Sequence, residues 1–138
     1  MRRVAHHPMK LDECVTGLAA AQQIVADRGA EICCLKISNL GGLSKARRVR
    51  DFLVENRIPV VSEDTWGGEI TSTVVAHFAA STPADYLQNT TDLMNYNTRS
   101  TGMGGAWAEG GRLYAPDLPG LGVTPDFDSL GAPVAEYG

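Results

Sequence analysis

A parallel α/β architecture is the fold class that the sequence predicts, and three observations predict it. Four short strand-like runs, residues 8–11, 32–35, 59–61 and 86–88, recur along the chain. They stand roughly 24 to 27 residues apart, room for a strand, a helix and two short loops. Helical stretches fill the gaps, and strands that alternate with helices in this way pair in parallel. After Asn89 the periodicity gives way to Gly, Pro, Asn and Thr.

Each element has its own signal. The first helix is expected over 15–27, rich in Ala and Gln and stopped before Gly29. The second is expected over 44–56, with Ser44 as N-cap and Ala46, Val49, Phe52 and Leu53 as its apolar face. Lys45, Arg47, Arg48, Arg50 and Asp51 read as its solvated side, not as a nucleic-acid patch. The third is expected over 69–81, with Ile70, Val74, Phe78 and Ala79 facing inward and His77 packed among them. Beyond the fourth strand, Met103-Gly104-Gly105 and Gly110-Gly111 mark turns, and residues 112–115 suggest one short strand. The tail from Pro116 reads as an ordered but irregular extension lying on a neighbouring surface.

Composition narrows the function classes. The 138 residues are one domain's worth of chain, 43% hydrophobic and 20% charged, a globular balance. A net charge of −4 argues against a binder of nucleic-acid phosphates. Mean hydropathy is −0.12, and no apolar run approaches the roughly 18 residues of a membrane span. The start, with Arg2, Arg3, His6 and His7, lacks the apolar stretch of a secretory signal and reads as solvated. Three cysteines, Cys14, Cys33 and Cys34, form no C-x-x-C and read as small buried hydrophobes, which suits a cytoplasmic chain. On a strand, Cys33 and Cys34 point to opposite faces.

In parallel α/β folds, ligands bind at the carboxyl ends of the strands. Here each end carries polar groups: Asp12-Glu13, then Lys36 with Ser38-Asn39, then Glu63-Asp64-Thr65-Trp66, then Asn89-Thr90-Thr91-Asp92. Carboxylates are hard oxygen ligands suited to Mg²⁺. A lysine at a strand end inside such a mouth is a candidate general base. The loop Leu40-Gly41-Gly42-Leu43 brings backbone and a helix N-terminus close to the mouth, but it is no Walker or G-x-G-x-x-G loop.

Several strings are similar to the enolase superfamily, in the mandelate racemase and muconate-lactonizing branch. They are Leu11-Asp12-Glu13, Leu35-Lys36-Ile37-Ser38 with Gly41-Gly42-Leu43, Glu63-Asp64-Thr65-Trp66-Gly67-Gly68, Asn89-Thr90-Thr91-Asp92-Leu93, and Leu121-Gly122-Val123-Thr124-Pro125-Asp126. The resemblance runs from about Pro8 onward and is nearest to cis-3-hydroxy-L-proline dehydratase-like and hydroxyproline-betaine-epimerase-like members. It implies the C-terminal half of a modified (β/α)7β TIM-type barrel. Residues 1–92 would supply strands five to eight, and residues 93–138 a loop-rich extension toward a cap domain.

The resemblance also implies chemistry. In this superfamily three carboxylates, on strands three, four and five, hold Mg²⁺, and a base removes the proton α to a substrate carboxylate. Asp12 matches the third metal ligand, Glu13 the acidic residue supporting it, and Lys36 the acid/base lysine of strand six. Trp66 and Asp92 are candidates for holding the nitrogen of a small amino-acid substrate, with Asp64 orienting the mouth or touching substrate. An aromatic face and a carboxylate together suit a cationic amine.

The family's K-x-K lysine and first two metal ligands have no match here. The expectation is therefore a partial site, inactive as this fragment alone, and a chain that pairs with itself or takes the missing half from elsewhere. A complete barrel takes about 250 residues, and an arc of one leaves unpaired edges. The rival expectations are an inactive remnant and a metabolite-binding α/β module.

Overall fold

The computed structural model describes residues 6–137. The basic start expected to be solvated falls largely on residues 1–5, outside the described residues; His6 and His7, just inside them, are exposed. Four parallel strands form one sheet in the order β1 (Lys10–Leu11), β2 (Ile32–Lys36), β3 (Val60–Glu63) and β4 (Leu87–Thr90). Three helices link them: α1 (Leu18–Ala26), α2 (Leu43–Glu55) and α3 (Glu69–Ala80). Each strand pairs with the next in sequence, so the sheet winds in one direction, as an arc of a barrel does.

The helices cover one face of the arc. Ala21 and Ile24 of α1, Ala46, Val49 and Leu53 of α2, and Val75 and Phe78 of α3 close over Cys33, Leu35 and Val60 of the sheet. Residues two apart share a face of a strand. Cys34 and Lys36 on β2, and Val61 and Glu63 on β3, therefore face the opposite way, toward the inner side of the arc.

Local chemistry moves several expected boundaries. Helix α1 starts at Leu18 because Gly17 holds an extended backbone, and Val15 N–H bonds Asp12 C=O at 2.9 Å in a turn that carries Asp12 and Glu13 off β1. Helix α2 starts at Leu43 with Gly42 at the cap position, so Ser44 lies inside the helix and does not cap it. Arg50 is not solvated but 6% exposed. Its guanidinium lies 5.3 Å from the Phe78 ring centre and donates to Ser81 Oγ at 2.7 Å and to Asp51. Cys14 is exposed, unlike Cys33 and Cys34. Helix α3 buries Ser72, Thr73, Val75 and Ala76 along with Phe78 and Ala79, while Ile70 and Val74 are only half-buried.

The buried serine and threonine of α3 meet the segment beyond β4. Residues 102–125 form two antiparallel pairs. β5 (Gly102–Gly104) pairs with β8 (Val123–Pro125), and β6 (Trp107–Glu109) pairs with β7 (Arg112–Tyr114). A final turn of helix, α4 (Phe127–Leu130), is capped by the Asp126 side chain. This extension lies on α3, fastened by side chains that bond its backbone. Ser72 Oγ accepts from Met94 N–H at 2.8 Å and Thr73 Oγ1 accepts from Ala106 N–H at 2.9 Å. His77 Nε2 lies 3.2 Å from Leu121 C=O, so that nitrogen carries the proton.

Candidate active site

The carboxyl ends of β1, β2 and β3 converge. The Lys36 ammonium stands 3.0 Å from Asp12 Oδ1 and donates to Glu13 Oε1. Lys36 is 8% exposed, because it ends a strand buried on both faces. Its partners reach it from the turn after β1, and Asn39 Nδ2 steadies the other Glu13 oxygen at 3.3 Å. Glu13 first, as acceptor of the Lys36 hydrogen bond, and then the Asp12 carboxylate hold Lys36 well above the ordinary lysine range, outweighing the opposing effect of burial. As it stands in this arrangement, Lys36 is a cation.

Asp12 Oδ1 is the informative atom. Its separation from Lys36 is an ion-pair distance without hydrogen-bond alignment, and no other donor reaches this buried oxygen. Asp12, Cys34 and Glu63 present ligand atoms within 4.8 Å of one another. Asp12 and Glu63 offer hard oxygen, while the Cys34 thiol donates to Glu63 Oε2. Burial first, and then the Glu63 carboxylate, push that thiol far above its usual range, so it remains protonated beside the acids. An under-used carboxylate oxygen among oxygen donors fits one ligand position of a hard divalent cation. Among the described residues nothing completes an octahedral set.

The remaining predicted residues lie around the rim. Asp64 is buried and accepts from Ser38 N–H at 3.2 Å, Ser38 O–H, and Thr65 N–H at 2.8 Å. It therefore ties the loop after β3 to the loop after β2. Trp66 is 70% exposed and meets the ring of Tyr96 edge-on, centroids 5.7 Å apart at 86°. Asp92 accepts from Asn95 and lines a cleft of about 460 Å³ with Thr90, Thr91, Asn95 and Tyr96. Trp66 does not line that cleft; Tyr96 joins the two.

The structure brings Asp12, Glu13 and Lys36 into contact and sets Trp66 and Asp92 on either side of Tyr96. The sequence reading gave no role of their own to Cys34, Glu63 or Tyr96, although it set Glu63 at the mouth. Cys34 lies two residues before Lys36 on the same face, and Glu63 pairs with Lys36 in the sheet register; alternation could have found both. No sequence signal marks Tyr96, because the path of residues 91–101 is not periodic.

Comparison with known proteins agrees with this geometry. The family described as "Enolase C-terminal domain-like" matches residues 1–129. A cis-3-hydroxy-L-proline dehydratase of Roseibium aggregatum is 42% identical over 99% of this chain and 37% of its own length. An N-succinylamino acid racemase of Amycolatopsis sp is 30% identical over 86% of this chain and 32% of its own. A mandelate racemase/muconate lactonizing enzyme structure from Roseovarius nubinhibens ISM superposes with a TM-score of 0.95, at 78% identity over 99% of this chain and 37% of that one. An enolase superfamily member from the same organism, complexed with magnesium, superposes at 0.92 with 35% identity, covering 99% of this chain and 37% of its own. The chain thus spans about a third of the length of the curated relatives it matches. The single-direction parallel arc, the carboxylate and lysine at its strand ends and these matches together place the chain in the enolase superfamily, in its mandelate racemase/muconate lactonizing branch.

Proposed function

We propose that this chain supplies part of the active site of a Mg²⁺-dependent enzyme that removes the proton α to the carboxylate of a hydroxyproline-like amino acid, as a dehydratase or an epimerase. One observation carries the reading. A buried lysine ends β2 beside Asp12, whose Oδ1 pairs with that ammonium by charge but accepts no hydrogen bond among the described residues. The relatives named for a hydroxyproline dehydratase and an amino-acid racemase, and those complexed with magnesium, support the substrate class and the metal.

The chain's own residues divide the work. Asp12 would hold the ion, which when bound supplies positive charge to stabilise the developing negative charge on the substrate carboxylate. Glu13 keeps Lys36 oriented and, through Asn39, keeps the turn after β1 against the loop after β2. Lys36 Nζ moves the proton. It is an acid while both carboxylates hold it, and it would serve as a base only after giving its proton to solvent, a loss made easier, though Glu13 still opposes it, when Asp12 turns to a cation. Asp64 shapes the rim between the second and third loops. Trp66 and Asp92, with Tyr96, form the side that would receive the substrate nitrogen. In a dehydration Lys36 would take the α-proton and return a proton to the departing β-hydroxyl, which leaves as water; a second base on the far side of the substrate would give epimerisation.

The far side must come from elsewhere. Among the described residues no strand pairs with the free edge of β1 or of β4, so a further segment or a second chain would complete the wall. Residues 1–92 then act as the barrel arc, and 93–138 as the extension that closes its rim.

The test is exchange of the α-proton of hydroxyproline in deuterated water, with and without Mg²⁺, on the full polypeptide that carries these residues. Lys36→Ala should slow exchange by about 10² to 10⁴-fold. Equal exchange with and without Lys36 would remove its assigned role. Binding without exchange, independent of Mg²⁺, would favour a metabolite-binding module instead.

A further inference from the structure

We propose that Glu69 and Asn97 are positioning residues of the mouth, a latch that fixes the Trp66 and Tyr96 rings at right angles and so sets how tightly an amine-bearing substrate is held. The inference rests on the reading of Trp66 and Asp92 as the substrate-nitrogen side.

The two rings belong to different loops. Trp66 lies on the loop from β3 to α3, and Tyr96 on the 3-10 turn Met94–Tyr96 beyond β4. Exposed rings on two loops keep a fixed angle only if the loops are fixed to each other. Three contacts do this, and they bracket Tyr96. Before it, Met94 N–H is held by Ser72 Oγ at 2.8 Å. After it, Asn97 Nδ2 donates to Gly67 C=O at 2.9 Å, reaching directly into the loop of Trp66. Beyond that, Thr101 donates both its N–H and its hydroxyl to Glu69 Oε2, each at 2.7 Å.

The glycine pair makes the approach possible. A Cβ on Gly68 would stand 2.3 Å from Thr101 Oγ1, the atom that donates to Glu69, and 3.6 Å from Asn97 Nδ2. A side chain there would wedge the two loops apart. Burial works against the Glu69 carboxylate, but the bonds from Thr101, with those from its own backbone N–H and from Ser100, together bring its pKa down to about 2. The acceptor therefore stays charged at any ordinary pH, and charge-assisted bonds of this kind are the strong ones. A corner held in advance loses less freedom when ligand arrives, so the latch acts on binding and not on proton transfer. Neither Glu69 nor Asn97 touches Lys36 or Asp12 among the contacts of the described residues.

The rings themselves report the latch. In a Trp107→Leu background, which removes the separate Trp107 and Tyr114 stack, the near-ultraviolet circular dichroism lost in Tyr96→Leu defines the signal of the corner. Asn97→Ala and Glu69→Ala should each lose half of that signal or more, with the far-ultraviolet spectrum unchanged. Glu69→Gln, which keeps an oxygen for Thr101, should retain it. In α-proton exchange of hydroxyproline, KM should rise by about 5 to 10-fold with kcat within about 2-fold. An unchanged corner signal in Asn97→Ala, or a fall in kcat at constant KM, would overturn the latch. Absence of exchange in the unmodified protein would remove the substrate reading instead, and the dichroism alone would then decide whether the latch exists.

Discussion

On β2, Cys33 and Leu35 look toward the helices, while Cys34 and Lys36 look into the arc. All four are buried. Cys33 and Leu35 join one apolar cluster with residues from all three helices. Cys34 and Lys36 instead meet Glu63, Asp12 and Glu13. The strand is thus equally dry on both faces but chemically opposite on them. Removing apolar area from water stabilises the outer face without requiring particular partners. The inner face keeps the Lys36 ammonium in a buried place only because two carboxylates stand beside it. Substitution on the outer face therefore costs packing, whereas substitution on the inner face costs specific polar partners.

Substitutions put this contrast to the test. The largest effect on stability is expected from Leu35→Ala, which empties a fully buried outer position. Urea melts should show a loss of about 2 to 5 kcal/mol. A loss below about 1 kcal/mol would mean the outer layer is not close-packed there. Next comes Thr73→Val, which leaves the buried Ala106 N–H without an acceptor. It should cost about 1 to 3 kcal/mol, and hydrogen exchange should speed up at Ala106 before it does in the sheet. Equal acceleration everywhere would show that the extension and the arc unfold as one unit.

A matched pair tests the two faces directly. Cys33→Ser places a hydroxyl in the apolar layer and should cost about 1 to 3 kcal/mol. Cys34→Ser keeps a donor for Glu63 and should cost less than about 1 kcal/mol. Equal costs would erase the distinction between the faces. The smallest effect concerns pH. Glu69 titrates at about 2 in the fold, below its ordinary 4.5. A carboxylate with a depressed folded pKa adds stability above the unfolded value, and that stability disappears as pH falls from 4.5 toward 2. Over that window the thermal midpoint should fall more steeply for the unmodified protein than for Glu69→Gln. Parallel slopes would mean that other carboxylates dominate the acid response.

Much of the arc was legible in the sequence, for a physical reason. Alternation and helical spacing record which side of an element meets apolar surface, and burial of that surface is the main driving force. Ala46, Val49 and Leu53 could be placed against the sheet on that basis. The charged ends of the strands were equally visible, but which of them touch was not: the register sets Leu11 against Cys33, and a turn after β1 brings Asp12 and Glu13 to Lys36. The extension could be foreseen as ordered and irregular with a short strand near 112–115, but its attachment was not legible. Its attachment runs through Ser72, Thr73, Glu69 and His77, polar residues that usually face water on a helix, bonding to backbone groups whose position no side-chain pattern records. Arg50 failed for a related reason: a basic residue within a basic run reads as solvated until Phe78 and Ser81 are found beside it.

A repeating parallel α/β arc and the residue types at its mouth are thus written in the amino-acid order, because burial and strand alternation leave a periodic trace. The folded chain alone reveals which acids meet Lys36, that the Cys34 thiol bonds Glu63 beside them, and that Tyr96 completes a corner with Trp66. Those contacts join residues tens of positions apart through loops with no period, and nothing short of the folded backbone brings them within bonding distance.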